Sequence, residues 1–254
     1  LLATVTNSFV PCNGKFPTLI TILTIFFAAG SAGGVIPALL LTGVILLGVG
    51  MTFLVSRLLS ATILRGVPSS FTLELPPYRR PQIGQILVRS VLDRTLFVLA
   101  RAVKAAAPAG LLLWLMANLT IGGSTILAHC AGFLEPAGRA LGMDGGILLA
   151  FLLGLPANEI VVPIMLMGYL SQGVLQQPEG LAQMQGVFLA NGWTPVTALC
   201  VMLFMLMHWP CATTLMTIRK ETGSLKWTLL AAALPTLCGT LACLLVNGLY
   251  QLAA

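Results

Sequence analysis

Long apolar runs dominate this chain, and short polar or proline-bearing interruptions divide them. The runs neither alternate nor stop at about ten residues, as barrel strands in a bilayer do, so they predict helices. Helices also satisfy their own backbone groups in lipid. Phe16–Ala29 predicts a first helix, broken by the stretch AGSAGG at Ala29–Gly34. A longer helix is expected from Val35 to Leu64, and the four prolines of Arg65–Pro81 then hold the chain extended. In Gln82–Lys104, Ile83, Ile86, Leu87 and Val91 recur at helical spacing, while Arg94 and Arg101 fall on another face. That pattern predicts an amphipathic helix along the membrane interface. Ala105–Asn118 continues it into the bilayer, with Pro108 as a kink point.

The second half is more interrupted. Ile121–Gly146 is mixed in polarity and rich in glycine, which suggests a re-entrant or interfacial segment. Ile147–Leu170 is apolar but broken at Pro156. Ser171–Asn191 reads as a polar, Gln-rich loop. Thr194–Met207 is the next span and ends at HWPC; a short segment, Ala212–Ile218, leads into RKETGSLK, and Trp227–Tyr250 is the last span. The total is six to eight membrane segments, some of them broken.

Composition makes the membrane reading firm. Of 254 residues, 57% are hydrophobic and 8% charged, whereas a soluble domain carries roughly 25% charged residues. The net charge of +6 is not a nucleic-acid footprint, because the charges are segregated. Eight of the 13 Lys and Arg residues fall between Arg57 and Lys104, and Arg219, Lys220 and Lys226 form a second group. By the positive-inside rule both regions are cytoplasmic, and Ser171–Trp193, with no Lys or Arg, faces the other side. The chain opens on LLATVTNSF, already in the pattern of a domain interior, and reads as a fragment or one half of a larger protein.

The candidate chemistry sits at the breaks. Pro156 ends one helix and a second restarts near Asn158 and Glu159. Irregular backbone at membrane depth is tolerated only against protein or a water-filled cavity. Glu159 at the restarted N-terminus is favoured as an anion and is expected to face inward and find a partner: a proton, an Arg or a cation. Cys12 and Cys211 both follow a proline at a break. Thiolates suit soft or borderline transition metals, while carboxylate and amide oxygens suit harder ones. Cys12, Asn158, Glu159 and Cys211 are therefore the candidate metal ligands, with His208 as a weaker one that equally suits a hydrogen-bonded helix end. His129, Cys130 and Glu135 form a lesser polar cluster. Cys200, Cys238 and Cys243 read as small buried hydrophobes, and Met165, Met167, Met202, Met205 and Met207 as packing residues. The motifs G-x-S-x-G, H-E-x-x-H and GxxxxGK[ST] are absent, so no enzyme is expected in this chain. VPCNGKFPTLITI at Val10–Ile22 echoes WPCATTLMTI at Trp209–Ile218, the pattern of two related bundles facing a central site.

NSFVPCNGKFPTLI, ELPPYRRP, LPANEIVVPIMLM, NGWTPVTALC and HWPCATTLMTIRKETGSLKW, in order from Asn7 to Trp227, resemble the membrane region of the ferrous iron transport protein B family. The resemblance implies an all-α, polytopic bundle with broken or re-entrant helices and gate-type repeats, in the bacterial inner membrane. It implies that residues 1–64 end a first gate, that 65–104 form a cytoplasmic linker and interfacial helix, and that 105–254 form a second gate. The implied activity is Fe(II) uptake, with Cys12, Asn158, Glu159 and Cys211 at the positions of the suspected pathway. GTP would bind only through an N-terminal domain missing from this chain. Further implied partners are the N-terminal GTP-binding and first-gate portion of the same protein, a small cytoplasmic accessory protein, the lipid bilayer and further copies of the chain in a homo-oligomer. Lacking the upstream first-gate Gly-Cys motif, the chain is not expected to transport by itself. The alternatives are a gate-fold carrier of nucleosides or another solute, and a membrane scaffold anchored through the basic Arg57–Lys104 region.

Overall fold

A computed structural model of the chain describes residues 2–27, 35–62, 82–170 and 180–253. The expected break at Ala29–Gly34, the extended Arg65–Pro81 segment and the side chains of Arg94 and Arg101 lie outside the described residues.

The described residues are almost wholly helical, apart from one two-stranded hairpin. Helix α1 (Leu2–Thr6) runs into a 3-10 turn at Asn7–Phe9, and after a break α2 follows (Phe16–Phe27). Next come α3 (Val35–Thr62), α4 (Ile83–Arg89) and α5 (Phe97–Asn118). A π-helical turn at Ser90–Leu96 joins α4 to α5, so the expected interfacial helix and the following span are one rod that passes through Pro108. A hairpin (β1 Thr120–Ile121, β2 Ser124–Thr125) leads to α6 (Ile126–Ala140) and α7 (Gly145–Leu153). Then follow α8 (Val161–Tyr169), α9 (Leu181–Ala190), α10 (Pro195–Met207), α11 (Ala212–Thr222) and α12 (Leu225–Ala253).

Four stretches among the described residues are long and apolar enough to cross a membrane: α3, Gly84–Asn118, Pro195–Thr222 and α12. The pair α6 and α7, set at 109° to each other, makes at most a fifth. This is fewer than the six to eight segments expected, because α2, Asn158–Tyr169 and α9 are too short to cross alone. The chain is thus a multi-pass membrane protein in which half-length helices are packed among full spans. The mixed segment after Ile121 resolves into the hairpin, α6 and the sharp bend to α7.

The Gln-rich loop expected at Ser171–Asn191 is corrected in its described part, where α9 forms over Leu181–Ala190. Gln is a good helix former, and the Gln185 amide is consumed by donating to the Ile25 carbonyl (3.1 Å) at the end of α2. What read as solvent-facing polarity instead caps a neighbouring helix.

Two packed clusters define the two ends. Val55, Leu59, Ile218 and Ala231 pack together, which brings the Arg57, Arg219 and Lys226 regions to one basic end. At the other end Phe26, Phe188 and Trp193 stack, with centroids 4.4 Å apart for Phe188 and Trp193. The Tyr169 hydroxyl donates to Asp144 Oδ2 and accepts from Trp193 Nε1. That chain of bonds ties the start of α7 to the end of α8. The two short helices therefore form a hairpin that enters from the aromatic end and turns at Gly154–Ile160.

Candidate functional site

Three breaks meet between the two ends, at a place open to the surface where Cys12 is exposed. Residues 2–27 run from the basic end to the aromatic end and break at Val10–Lys15; residues 195–222 run the opposite way and break at His208–Cys211. The tip of the α7–α8 hairpin carries Pro156 and Asn158. The freed backbone groups serve one another: the Ala212 N–H, unpaired at the start of α11, donates to the Leu155 carbonyl, left open at the hairpin turn (2.8 Å). The two Pro-Cys echoes noted in the sequence are thus paired in space and run in opposite directions.

Between them lies a cavity of about 240 Å³ lined by Asn7, Ser8, Cys12, Lys15, Asn158 and Cys211, with Val10, Pro11, Pro210 and Thr214. Cys211 caps α11, and its Sγ lies 3.1 and 3.2 Å from the hydroxyls of Thr213 and Thr214. Cys12 opens a turn closed by Lys15 N–H to its carbonyl (2.9 Å). Of the predicted ligands, Cys12, Cys211 and Asn158 converge here.

Asn158 is 3% exposed and sits between His208 and Cys12. His208 is fully buried, with Nδ1 2.8 Å from the Met205 carbonyl and Nε2 3.3 Å from the Asn158 carboxamide. A neutral imidazole donates from one nitrogen only. As placed, the Asn158 Oδ1 faces Nε2 and its Nδ2 lies 4.0 Å from the Cys12 Sγ. Given that Nδ1–H serves Met205, Nε2 must accept, so the bonding network reverses the amide, with its NH2 toward His208 and its oxygen toward the Cys12 sulfur. Amide oxygen and nitrogen are assigned by such network arguments. His208 then has no free lone pair for a metal. It orients Asn158, held between the rings of Phe151 and Trp209.

Glu159 differs from the inward-facing group expected. It is exposed, does not line the cavity, and leans over the Pro-Cys turn, where a Cβ on Gly14 would lie 3.3 Å from its Cγ. A 3-10 turn rotates successive residues by about 120°, so burying Asn158 turns its neighbour out. The lesser cluster also separates: Glu135 holds Arg139 (2.7 Å) and the Gly145 N–H (2.8 Å), while His129 bonds the Thr125 carbonyl (3.0 Å). Among the described residues no three His, Cys, Asp or Glu side chains form a metal-holding group. Any ion at the cavity would thus meet two thiols and the neutral oxygens of Asn158, Asn7 and Ser8.

Lys15 and Ser8 are functional candidates that the sequence reading passed over. Lys15 is 2% exposed and donates to the Leu206 carbonyl (3.1 Å), in the last turn of α10, where helix carbonyls are unpaired. The one ion pair among the described residues is Arg139–Glu135, so no carboxylate balances this ammonium; the anion-forming groups beside it are the thiols of Cys12 and Cys211. The signal for Lys15 was present: a lone cation in an apolar region, outside both basic groups. Ser8 is 7% exposed, and its Oγ is buried without a hydrogen-bond partner among the described residues. Nothing in the sequence marks it.

Residues 41–93 match the family described as ferrous iron transport protein B C terminus, and residues 99–225 match the Gate family, described as nucleoside recognition. The chain is 31% identical over 239 residues to the Fe(2+) transporter FeoB of Staphylococcus aureus (strain COL), which covers 89% of this chain and 33% of that protein. It is 24% identical over 235 residues to the Fe(2+) transporter FeoB of Leptospira biflexa (86% and 34% covered) and 25% identical over 243 residues to that of Campylobacter jejuni (90% and 38% covered). The chain thus spans about a third of the length of the curated relatives it matches. No solved structure matches it.

Proposed function

The chain belongs to the ferrous iron transport protein B family, with that family's C-terminal segment and a Gate region in its sequence; from that premise we propose that it is the part of an Fe(II) uptake transporter in which the ion passes between two Pro-Cys breaks. Convergence of Cys12 and Cys211, from opposite-running broken spans, on one cavity with Asn158 carries the reading. Two sulfurs with the neutral oxygens of Asn158, Asn7 and Ser8 suit a borderline divalent cation such as Fe(II). They offer a looser grip than the four nitrogen and thiolate ligands of a structural zinc site. Short residence is what passage needs, because a conducted ion must enter favourably and also leave. Lys15 works in the same direction, since its fixed positive charge opposes a second cation in the cavity.

Glu159, at the rim by the Cys12 turn, concentrates cations at the mouth rather than ligating them inside. The basic end is the cytoplasmic one by the positive-inside rule, in the inner membrane of a bacterium. GTP binding is assigned to another part of the whole protein. That part, a small cytoplasmic accessory protein and further copies of the chain are the expected partners. A nucleoside carrier, the second reading, finds less support: among the described residues no aromatic or carboxylate side chain lines the cavity to read a base or ribose.

The test is Co(II) titration of the purified whole protein, which reports sulfur-to-metal charge transfer. The band is expected in the unmodified protein and lost in Cys12→Ser and in Cys211→Ser. A band that survives both substitutions would remove the thiol pocket from the pathway.

A further inference from the structure

A second cavity, of about 330 Å³, abuts the thiol pocket on the side of the basic end. Its lining is Ala3, Thr4, Asn7, Ser8, Thr214, Thr217, Ile218 and Glu221, and it shares Asn7, Ser8 and Thr214 with the thiol pocket. Thr214, Thr217 and Glu221 stand three and four residues apart, which places them on one face of α11. Thr4, Asn7 and Ser8 face them from the α1 side. The volume has room for on the order of ten water molecules, at about 30 Å³ each. Glu221, exposed at the far end, belongs to no ion pair among the described residues.

The second observation is the orphaned hydroxyl. Ser8 Oγ is buried at the junction of the two cavities and has no hydrogen-bond partner among the described residues. Leaving a buried hydroxyl unmade costs about 1–3 kcal/mol, and such a group in a lining calls for an occupant that bonds it, a water or a cation.

We propose that this second cavity is the exit route of the thiol pocket, a passage of hydroxyl, amide and carboxylate oxygens that receives a divalent cation at Ser8 and releases it past Glu221 at the basic end. The proposal rests on the thiol-pocket reading and adds direction to it. The gradient in ligand chemistry drives the step. Sulfur grips a borderline cation more firmly than neutral oxygens do, and a hydrated oxygen-lined cavity lets the ion regain water before it leaves. Thr217 and Glu221 then act on escape, not on capture, so their loss changes transport and spares binding at the thiols.

Two measurements on the whole protein test this. In the first, Thr217→Cys is exposed in inverted membrane vesicles to a membrane-impermeant methanethiosulfonate reagent, and the modified position is read by peptide mass spectrometry. Labelling is expected from the basic face and slowed severalfold by Fe(II); no labelling from that face, or a rate indifferent to Fe(II), overturns the route. In the second, Thr217→Trp fills the cavity. Initial Fe(II) uptake is expected to fall at least about tenfold while the Co(II)–thiolate band persists. Normal uptake with the band intact overturns the route and leaves the thiol pocket standing. Absence of the band from the unmodified protein overturns the thiol pocket itself, and the exit with it.

Discussion

The chain holds two polar centres at different heights, and they are built on opposite rules. Near the aromatic end, Glu135, Asp144 and Tyr169 border a cavity of about 570 Å³, more than twice the thiol pocket. It carries the carboxylates and the volume that a search for a cation site would choose first. Its carboxylates are nevertheless spent on structure. Asp144 caps α7 through the Ile147 N–H (2.6 Å) and accepts from Tyr169, while Glu135 accepts from Gly145 N–H and Arg139. The thiol pocket is smaller and, among the described residues, has no lining carboxylate, yet it keeps an orphaned hydroxyl, an ammonium without a carboxylate partner and two sulfurs. Inside a membrane, a polar group that is fully satisfied holds the fold together. One left unsatisfied is available for a guest.

The sharpest way to break this contrast is to remove the sulfurs. Cys12→Ser with Cys211→Ser in the whole protein is expected to bring Fe(II) uptake to the background of cells lacking the transporter, with unchanged thermal stability; substantial remaining uptake would place the ion elsewhere. His208→Phe comes next, because it keeps the aromatic packing and releases Asn158. Losing such a supporting partner costs about 10–100-fold in metal affinity, and Co(II) titration reads it directly.

Asp144→Ala probes the other centre. It removes an N-cap worth about 1 kcal/mol and leaves the Tyr169 hydroxyl without its acceptor, at about 1–3 kcal/mol. The thermal midpoint of the purified protein should drop while Co(II) affinity holds. Lost affinity in a folded variant would show that the two centres act as one. The smallest effect is expected for Glu159→Gln. An exposed charge contributes about 0–1 kcal/mol, so uptake at low Fe(II) should fall by less than about fivefold, and by less still as salt is raised. A loss as large as that of the cysteine pair would return Glu159 to the ligand set.

Close packing sharpens the comparison further. Gly48 of α3 lies against the Asn7–Phe9 turn, where an added Cβ would stand 2.6 Å from the Phe9 carbonyl oxygen. Gly48→Ala must push that turn, and Ser8 with it, so it should slow uptake without replacing any side chain of the thiol pocket.

The sequence alone determined the membrane class, the helical character and the breaks at the two Pro-Cys turns and at Pro156. Those are largely local matters: a run of apolar residues partitions into lipid whatever its neighbours are, and a proline removes one donor from the helix ladder where it stands, although α5, α6 and α12 run on through Pro108, Pro136 and Pro235. It also marked the Pro-Cys echo and the polar LPANE turn as the places for chemistry. Only the tertiary structure decided that Cys12 and Cys211 share a cavity, that Asn158 is buried while Glu159 is exposed, and that Lys15 and Ser8 belong with them. Only it decided that the Gln-rich segment closes as α9, because Gln185 finds the Ile25 carbonyl. Each of these depends on which breaks lie side by side once the spans are packed. That choice is made by shape and by hydrogen-bond partners far apart in the chain, to which local hydrophobicity and propensity are blind.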